Sequence, residues 1–132
     1  MEQPQRHRDT EDINHTTEHV IACAIEVHRC LGPGLLEPMY QRAMCIELEI
    51  RNIAHVKELK LPAFYKGHLL GEYRIDLLVD DLVLVEIKSA ERLHPVFEAQ
   101  LLTYLRLTSK RVGLLLNFNA RLMRDGIKRM ML

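Results

Sequence analysis

The chain has 132 residues, of which 48% are hydrophobic and 27% charged, and its 18 acidic and 18 basic side chains give a net charge of zero. This composition predicts one globular domain with a core of its own, and zero net charge argues against strong non-specific binding to nucleic acid. No apolar run approaches the ~18 residues that a membrane span needs, and the polar N-terminus carries no hydrophobic signal segment. We therefore expect a cytoplasmic protein without a membrane partner. Its three cysteines, which lack C-x-x-C spacing, are predicted to be reduced core thiols.

The predicted elements follow one another in the order α-α-β-β-β-α-β-β after a disordered polar tail at residues 1–15. The single domain covers residues 16–132, with helices at 16–31, 35–51 and 96–108 and strands at 56–65, 69–79, 82–88, 111–117 and 127–131. Thr16 and Thr17 are both plausible N-caps for the first helix, and Gly32-Pro33-Gly34 ends it. The strand at 111–117 is apolar throughout, which indicates burial on both faces, whereas the basic strand at 127–131 suits a sheet edge.

The second and third strands carry acids where a strand interior rarely buries them. Glu86 and Lys88 share a face of the third strand because side chains alternate with a period of two. Asp76 lies level with Glu86 on the same face if the loop has an odd length, such as 80–82, or if a bulge intervenes. A strict two-residue turn at Asp80-Asp81 would instead point Asp76 away. Two carboxylates at a cross-strand distance of roughly 5 Å, beside an ammonium group, would outline a metal-dependent hydrolytic site.

The structural alternative for the same residues is a half-exposed hairpin in which Glu86, Lys88 and Arg74 form a solvated ladder. Such surface ion pairs are common and contribute little to stability.

The following helix adds a second signal, because Gln100 and Tyr104 lie one turn apart on one face. The charge distribution adds a third. From Leu101 onward the chain has seven bases and one acid, which leaves this portion at +6 and the remainder at −6. Either the basic portion follows a phosphate backbone while the acidic remainder holds metal, or this is an ordinary surface gradient.

Together these residues resemble the motifs of the PD-(D/E)XK nuclease superfamily. They are Asp76 on one strand, Glu86-Ile87-Lys88 on the next, and Gln100-x-x-x-Tyr104 on the following helix. More narrowly, the segment 34–40, Gly-Leu-Leu-Glu-Pro-Met-Tyr, resembles the motif that names the GxxExxY family. The resemblance covers roughly residues 16–131. It implies a restriction-endonuclease-like fold, an α/β architecture with a mixed β-sheet flanked by helices.

The resemblance also implies an activity, the metal-dependent hydrolysis of phosphodiester bonds in nucleic acid, with DNA the expected substrate. Asp76 and Glu86 would be ligands of Mg²⁺ or Mn²⁺, and the carbonyl of Ile87 would be a third oxygen. Glu37 would ligate a second ion, directly or through water. Hard oxygen ligands without a Cys–His set favour these ions over zinc.

Three further residues receive roles from the same resemblance. Lys88 would orient the attacking water or stabilise the transition-state oxygens, while Gln100 and Tyr104 would hydrogen-bond the site or a phosphate. Structural alternatives accompany these roles: Glu37 as a first-turn acid favoured by the helix dipole, and Tyr104 as a core aromatic with a satisfied hydroxyl. His28 is expected to be a packed histidine bonded to backbone rather than a ligand.

A competing hypothesis from another class is a non-catalytic module that keeps the fold to bind nucleic acid or protein. If the protein is an enzyme, one site per chain predicts a homodimer for cleavage of both strands of a duplex. The sequence contains few aromatic residues and no tryptophan, so no platform for stacking bases is evident.

Overall fold

The computed structural model describes the backbone of residues 5–132 and the side chains of residues 10–132. Within these bounds the helices are α1 (Gln5–Leu31), α2 (Glu37–Ile50) and α3 (Pro95–Thr108), the strands are β1 (His55–Tyr65), β2 (His68–Val79), β3 (Val83–Lys88), β4 (Val112–Asn117) and β5 (Ile127–Met131), and a 3-10 turn covers Met123–Gly126. The predicted order of elements is confirmed. In the described part of the chain, no helix is both long enough and apolar enough to cross a membrane.

The strands form one sheet in the order β1-β2-β3-β4-β5. All neighbouring pairs are antiparallel except β3 and β4, which are parallel and are joined through α3. A parallel pair needs such a crossover because its strands run in the same direction. The resulting mixed sheet flanked by helices is the predicted restriction-endonuclease-like α/β fold.

The core lies on both faces of the sheet. Side chains from α1 and α2 pack on one face, among them Val20, Met44 and Leu48, against inward residues of β2, β3 and β4. On the opposite face, Leu101 and Leu105 of α3 pack on the other side of the same strands. Strand β4 is buried along its whole length, as its apolar run predicts, and β5 lies at the sheet edge with exposed basic side chains.

Helix α1 begins at Gln5, so the predicted helix start at Thr16 or Thr17 is wrong, and so is the predicted tail over residues 5–15. Both threonines lie inside the helix and are buried. Thr17 donates its hydroxyl to the Ile13 carbonyl at 2.7 Å, and Thr16 donates to the Asp80 carboxylate at 3.2 Å. Because Ile13 also packs in the core, this extra length of helix is held by tertiary contacts. Residues 1–4 of the predicted tail lie outside the described residues.

The three cysteines occupy different environments. Cys23 and Cys45 are buried free thiols, as predicted, but Cys30 is exposed. The prediction of a core thiol is wrong for Cys30 because the last turn of α1 leaves the core, and its neighbour Leu31 is also 43% exposed.

A glycine corner joins α1 to α2. Gly32 has φ of +67°, a left-handed conformation that glycine adopts without strain, and its N–H donates to the His28 carbonyl at 2.8 Å. The Tyr40 hydroxyl donates to the Gly32 carbonyl at 2.6 Å and accepts the Leu35 N–H at 3.1 Å. The corner therefore places Glu37 at the start of α2. The His28 ring nitrogen Nε2 lies 2.7 Å from the Ala120 carbonyl, which confirms the prediction of a packed histidine.

Candidate active site

The loop between β2 and β3 has an odd length. Val79 pairs with Val83 across the loop, which leaves the three residues 80–82 between the strands. The next pairs bring Leu77 opposite Val85, so Asp76 comes level with Glu86. The predicted odd loop is confirmed, and it places the two acids side by side.

The backbone ladder between β2 and β3 ends at the pair of Leu77 and Val85, one residue short of Asp76. Beyond the pair of Leu77 and Val85, the two strands are joined through carboxylates. The Asp76 N–H donates to Glu86 Oε1 at 3.0 Å, and the Ile87 N–H donates to Asp76 Oδ2 at 2.7 Å. Each acid thus accepts a backbone N–H that would otherwise bond to a carbonyl of the neighbouring strand. The second oxygen of each carboxylate makes no hydrogen bond among the described residues.

Burial opposes the ionisation of both acids, and the charge of Asp76 further opposes the ionisation of Glu86. Glu86 is only 6% exposed, and its burial, together with the charge of Asp76, raises its pKa to about 7. Burial also raises the pKa of Asp76, although the Ile87 N–H and the charge of Lys88 act in the opposite direction. A cation bound between the two carboxylates would relieve both effects.

The Ile87 carbonyl is oriented toward the same gap. The carbonyl of Lys88 accepts the Phe118 N–H from the β4 side at 2.9 Å, so the polar backbone groups of Ile87, one residue earlier, turn toward β2. Two carboxylates and a carbonyl would then offer oxygen ligands. Within the described residues no group of three His, Cys, Asp or Glu side chains is arranged to hold a metal. A pair of carboxylates suits Mg²⁺, which commonly keeps several waters and uses substrate phosphates as further ligands.

Lys88 is positioned by α3. Its ammonium Nζ lies 4.4 Å from the centroid of the Phe97 ring, a cation–π contact. Among the described residues it forms no ion pair within 4.0 Å with Asp76 or Glu86, yet its charge lowers the pKa of both acids. Lys88 is therefore close to the two carboxylates without being bound to either.

Helix α3 also brings Tyr104 to the acids. Tyr104 is buried, and its ring centroid lies 5.2 Å from that of Tyr73 on β2. Burial raises the pKa of Tyr104 to about 12, with the charge of Glu86 as the second cause, while a side-chain hydrogen bond from Gln100 lowers it. Its hydroxyl therefore stays protonated and able to donate at neutral pH. Gln100 is exposed and contacts the site through Tyr104.

Glu37 lies at the edge of the site. It is exposed in the first turn of α2, where the helix dipole favours an acid. Its charge contributes to the raised pKa of both Asp76 and Glu86, so it is also close to them. Ser89 ties this corner to the end of β3, because its hydroxyl donates to the Leu35 carbonyl at 2.6 Å.

Glu58 was not among the residues that the sequence singled out. It lies on β1 between the pairs Lys57–Leu77 and Leu59–Ile75, which places it opposite Asp76, and its charge raises the pKa of Asp76. Its φ of +53° is unusual for a residue other than glycine or asparagine. No signal in the sequence marks it, since a lone glutamate in an alternating strand is expected to face solvent.

Asn117 was missed as well. It is buried opposite Lys88 in the parallel ladder. Its amide donates to the Ala90 carbonyl at 2.9 Å, and its side-chain oxygen accepts the N–H groups of Ala90 at 3.0 Å and Asn119 at 3.2 Å. Asn117 thereby fixes the segment that follows Lys88. A polar residue at the end of a fully apolar strand is the signal that could have identified it.

Comparison with known proteins gives one match. A family model described as the PD-(D/E)XK nuclease superfamily matches residues 14–130. No curated protein and no solved structure matches the chain.

Proposed function

The chain belongs to the PD-(D/E)XK nuclease superfamily, and from this premise we propose that it is a Mg²⁺- or Mn²⁺-dependent nuclease that hydrolyses phosphodiester bonds in nucleic acid, with DNA as its substrate. One observation carries the proposal: Asp76 and Glu86 stand side by side where β2 and β3 separate, and both resist ionisation. A stable fold gains nothing from a buried acid beside a half-buried one, whereas a metal site requires such a pair. Within the superfamily we assign the chain to the GxxExxY family on its residues 34–40.

The donor set fits a hard divalent cation. The free oxygens of Asp76 and Glu86 would hold the ion with the Ile87 carbonyl, and Glu37 would contact a second ion directly or through water. When bound, the ion supplies Lewis acidity toward water and phosphate and neutralises negative charge.

The remaining residues would act on the phosphate. Lys88, held near the carboxylates by Phe97, would stabilise the negative charge that develops on the phosphate oxygens. Tyr104 stays protonated and would donate a hydrogen bond to the site or to a phosphate, and Gln100 would orient its hydroxyl.

The test combines metal binding with cleavage. Mn²⁺ and Mg²⁺ are titrated by calorimetry into the wild type and into Asp76→Asn, and labelled single- and double-stranded DNA is incubated with each protein and metal. Asp76→Asn keeps an oxygen that can accept the Ile87 N–H, so the fold is retained. The matched control is Asp81→Asn, which changes an exposed acid five residues away in the loop.

We expect the wild type and Asp81→Asn to bind metal and cleave DNA, and Asp76→Asn to do neither. Folded wild-type protein that binds no divalent metal would overturn the proposal and favour the non-catalytic binding module. If the protein cleaved RNA but not DNA, the proposed nuclease activity would stand and the proposed substrate would be wrong. Sedimentation of the wild type on duplex DNA tests the accompanying proposal that two chains act together on the two strands.

A further inference from the structure

The hairpin of β1 and β2 extends beyond the site as an arm, defined here as residues 59–75. Its inner side is fixed to α3: Leu59, Leu61 and Ile75 pack with Leu101 and Leu105. Tyr73 adds the ring contact with Tyr104 at 5.2 Å. The arm is therefore held in place next to the carboxylate pair and is not an independent projection.

The outer side of the arm carries two cations directly opposite each other. Lys60 and Arg74 are cross-strand partners, and both are exposed. Like charges at directly opposed positions destabilise a ladder. Within the described part of the chain, neither residue forms a hydrogen bond or an ion pair. Arg74 is two residues from Asp76 on β2, which puts its charge beside the candidate active site.

Large apolar side chains follow toward the tip, and the two-residue alternation of β1 places Phe64 on the same side as Lys60. Phe64 pairs with Leu69 across the hairpin, and the two are 61% and 65% exposed. Tyr65 and Leu70 at the tip are also more than half exposed. Exposed apolar residues in such a contiguous group mark an interaction surface. Glu72 is the acid among the residues of the arm.

The basic C-terminal portion is a weaker candidate for contact with phosphate. Five of its seven bases are already engaged by the protein itself: Arg106 with Thr103, Lys110 with Asp81, Arg111 with Thr10, Lys128 with Glu98, and Arg129 with Asn14. Among the described residues, Lys60 and Arg74 have no such partners.

We propose that the outer side of the arm binds single-stranded nucleic acid, with backbone phosphates on Lys60 and Arg74 and an unpaired base stacked on Phe64. An aromatic face can stack only on a base that is free of its neighbours, which selects single strands or frayed ends over an intact duplex. The inference deepens the proposed function, because a strand held there leads past Arg74 to Asp76. A second copy of this chain fits the arm less well. In a symmetric contact between two arms, the two cations of one copy would face the same two cations of the other.

Binding can be measured apart from cleavage. Fluorescence anisotropy in EDTA follows a labelled oligothymidylate and a blunt hairpin duplex of equal length with the wild type, Phe64→Ala, Phe64→Tyr and the double variant Lys60→Ala/Arg74→Ala. The controls are Leu107→Ala, an apolar residue of α3 that is 51% exposed, and Lys57→Ala, an exposed cation of β1 on the side of α2.

We expect the wild type to prefer the single strand. Phe64→Ala should weaken its binding about tenfold, Phe64→Tyr should restore it, and both controls should bind like the wild type. In the double variant, the slope of log affinity against log salt should fall by about 1.4, or about 0.7 for each phosphate that is no longer neutralised.

Two results would overturn the inference: arm variants that bind the oligothymidylate like the wild type, or a wild-type dimer that Phe64→Ala dissociates without any change in nucleic-acid affinity. The second result would assign the arm to a second copy of the chain. The inference and the proposed function can fail separately. If the wild type cleaves with Mn²⁺ and the arm variants cleave and bind as well as it does, only the inference about the arm is refuted. If the wild type binds nucleic acid through the arm but never cleaves it, only the proposed nuclease activity is refuted.

Discussion

Glu86 accepts a hydrogen bond from the backbone N–H of Asp76 at 3.0 Å, so these two acids are joined through the carboxylate of one and the backbone of the other. The bond fixes Glu86 where a ladder carbonyl would otherwise lie. It also brings the negative charge of the half-buried Asp76 next to that of the buried Glu86. The site therefore consists of two carboxylates in positions that disfavour their ionised forms.

The first consequence concerns stability. The pKa of Glu86 is raised to about 7 in the folded protein from an ordinary value of 4.5, so the folded state binds more protons than the unfolded state between these values. Stability is thus highest below the unfolded pKa and falls as pH rises through the folded pKa. We expect Glu86→Gln to raise the free energy of unfolding by roughly 1–3 kcal/mol at about pH 8 and to change it little at about pH 4. Urea unfolding of the metal-free protein at the two pH values measures this.

The matched control is Glu49→Gln, which changes an exposed acid of α2. It should leave stability unchanged at both pH values. A loss of stability in Glu86→Gln at high pH would mean that the carboxylate contributes more to the fold than its repulsion costs.

The second prediction concerns metal binding and pH. Because Glu86 must lose its proton before it can bind an ion, the affinity for Mn²⁺ should fall as pH decreases below about 7. About a tenfold loss is expected between pH values about one unit above and one unit below that pKa. Calorimetry in two buffers of different ionisation enthalpy should show about one proton released per ion at the lower pH. Binding without proton release there would contradict the raised pKa.

The third prediction separates the charge of Lys88 from its position. Lys88→Met keeps the apolar stem and should lower the rate of cleavage by about 100-fold or more, with Mn²⁺ affinity retained or increased. Phe97→Leu removes the ring below Nζ and should lower the rate several-fold, since a cation–π interaction of this kind stabilises the ammonium by about 1 kcal/mol. Val96→Ala, at a neighbouring exposed position, serves as the control. If Lys88→Met cleaved at the wild-type rate, Lys88 would have no role in the reaction.

The fourth prediction concerns Glu58, whose φ of +53° is costly for a glutamate. Glu58→Gly should stabilise the protein by about 1 kcal/mol because glycine adopts this conformation freely. Asn52→Gly, at φ of +57°, should gain less because asparagine tolerates the left-handed region. Glu58→Ala removes the charge but keeps the strained backbone, so it separates the two effects. Thermal unfolding of the three variants decides the matter, and equal gains in all three would exclude backbone strain as the cause.

Periodicity predicted most of the fold. The bounds of β5 and the end of α1 agree with the expectation, and the other strands and α2 differ from it by two residues or fewer. The position of Asp76 beside Glu86 followed from the alternation of side chains once the loop was taken as odd. These features are local or depend on the two-residue period, so the sequence carries them.

The remaining differences depend on tertiary contacts. Thr16 and Thr17 have the residue type of N-caps, but burial against the rest of the chain continues α1 through them. The conformation of Glu58 arises where β1 faces Asp76, and the sequence gives no sign of it. Low aromatic content gave no indication of a platform for stacking bases, and it also carries no information on Phe64 and Tyr65, which are both exposed near the tip of the arm. Composition reports how many aromatic residues there are, but not where the fold collects them.

The single parallel pair in the sheet also has a consequence for the order of folding. Strands β1 and β2 are closed by a two-residue turn between Tyr65 and His68, so their hairpin can form early from local contacts. Strand β3 meets β4 only after the crossover through α3 has formed, which is a slower, non-local step. Glu86 therefore becomes buried only when the chain is nearly native. Asp76 and Glu86 themselves meet in the local hairpin of β2 and β3, but the burial of Glu86 waits for α3 and β4, so a divalent ion should slow unfolding more than it accelerates folding.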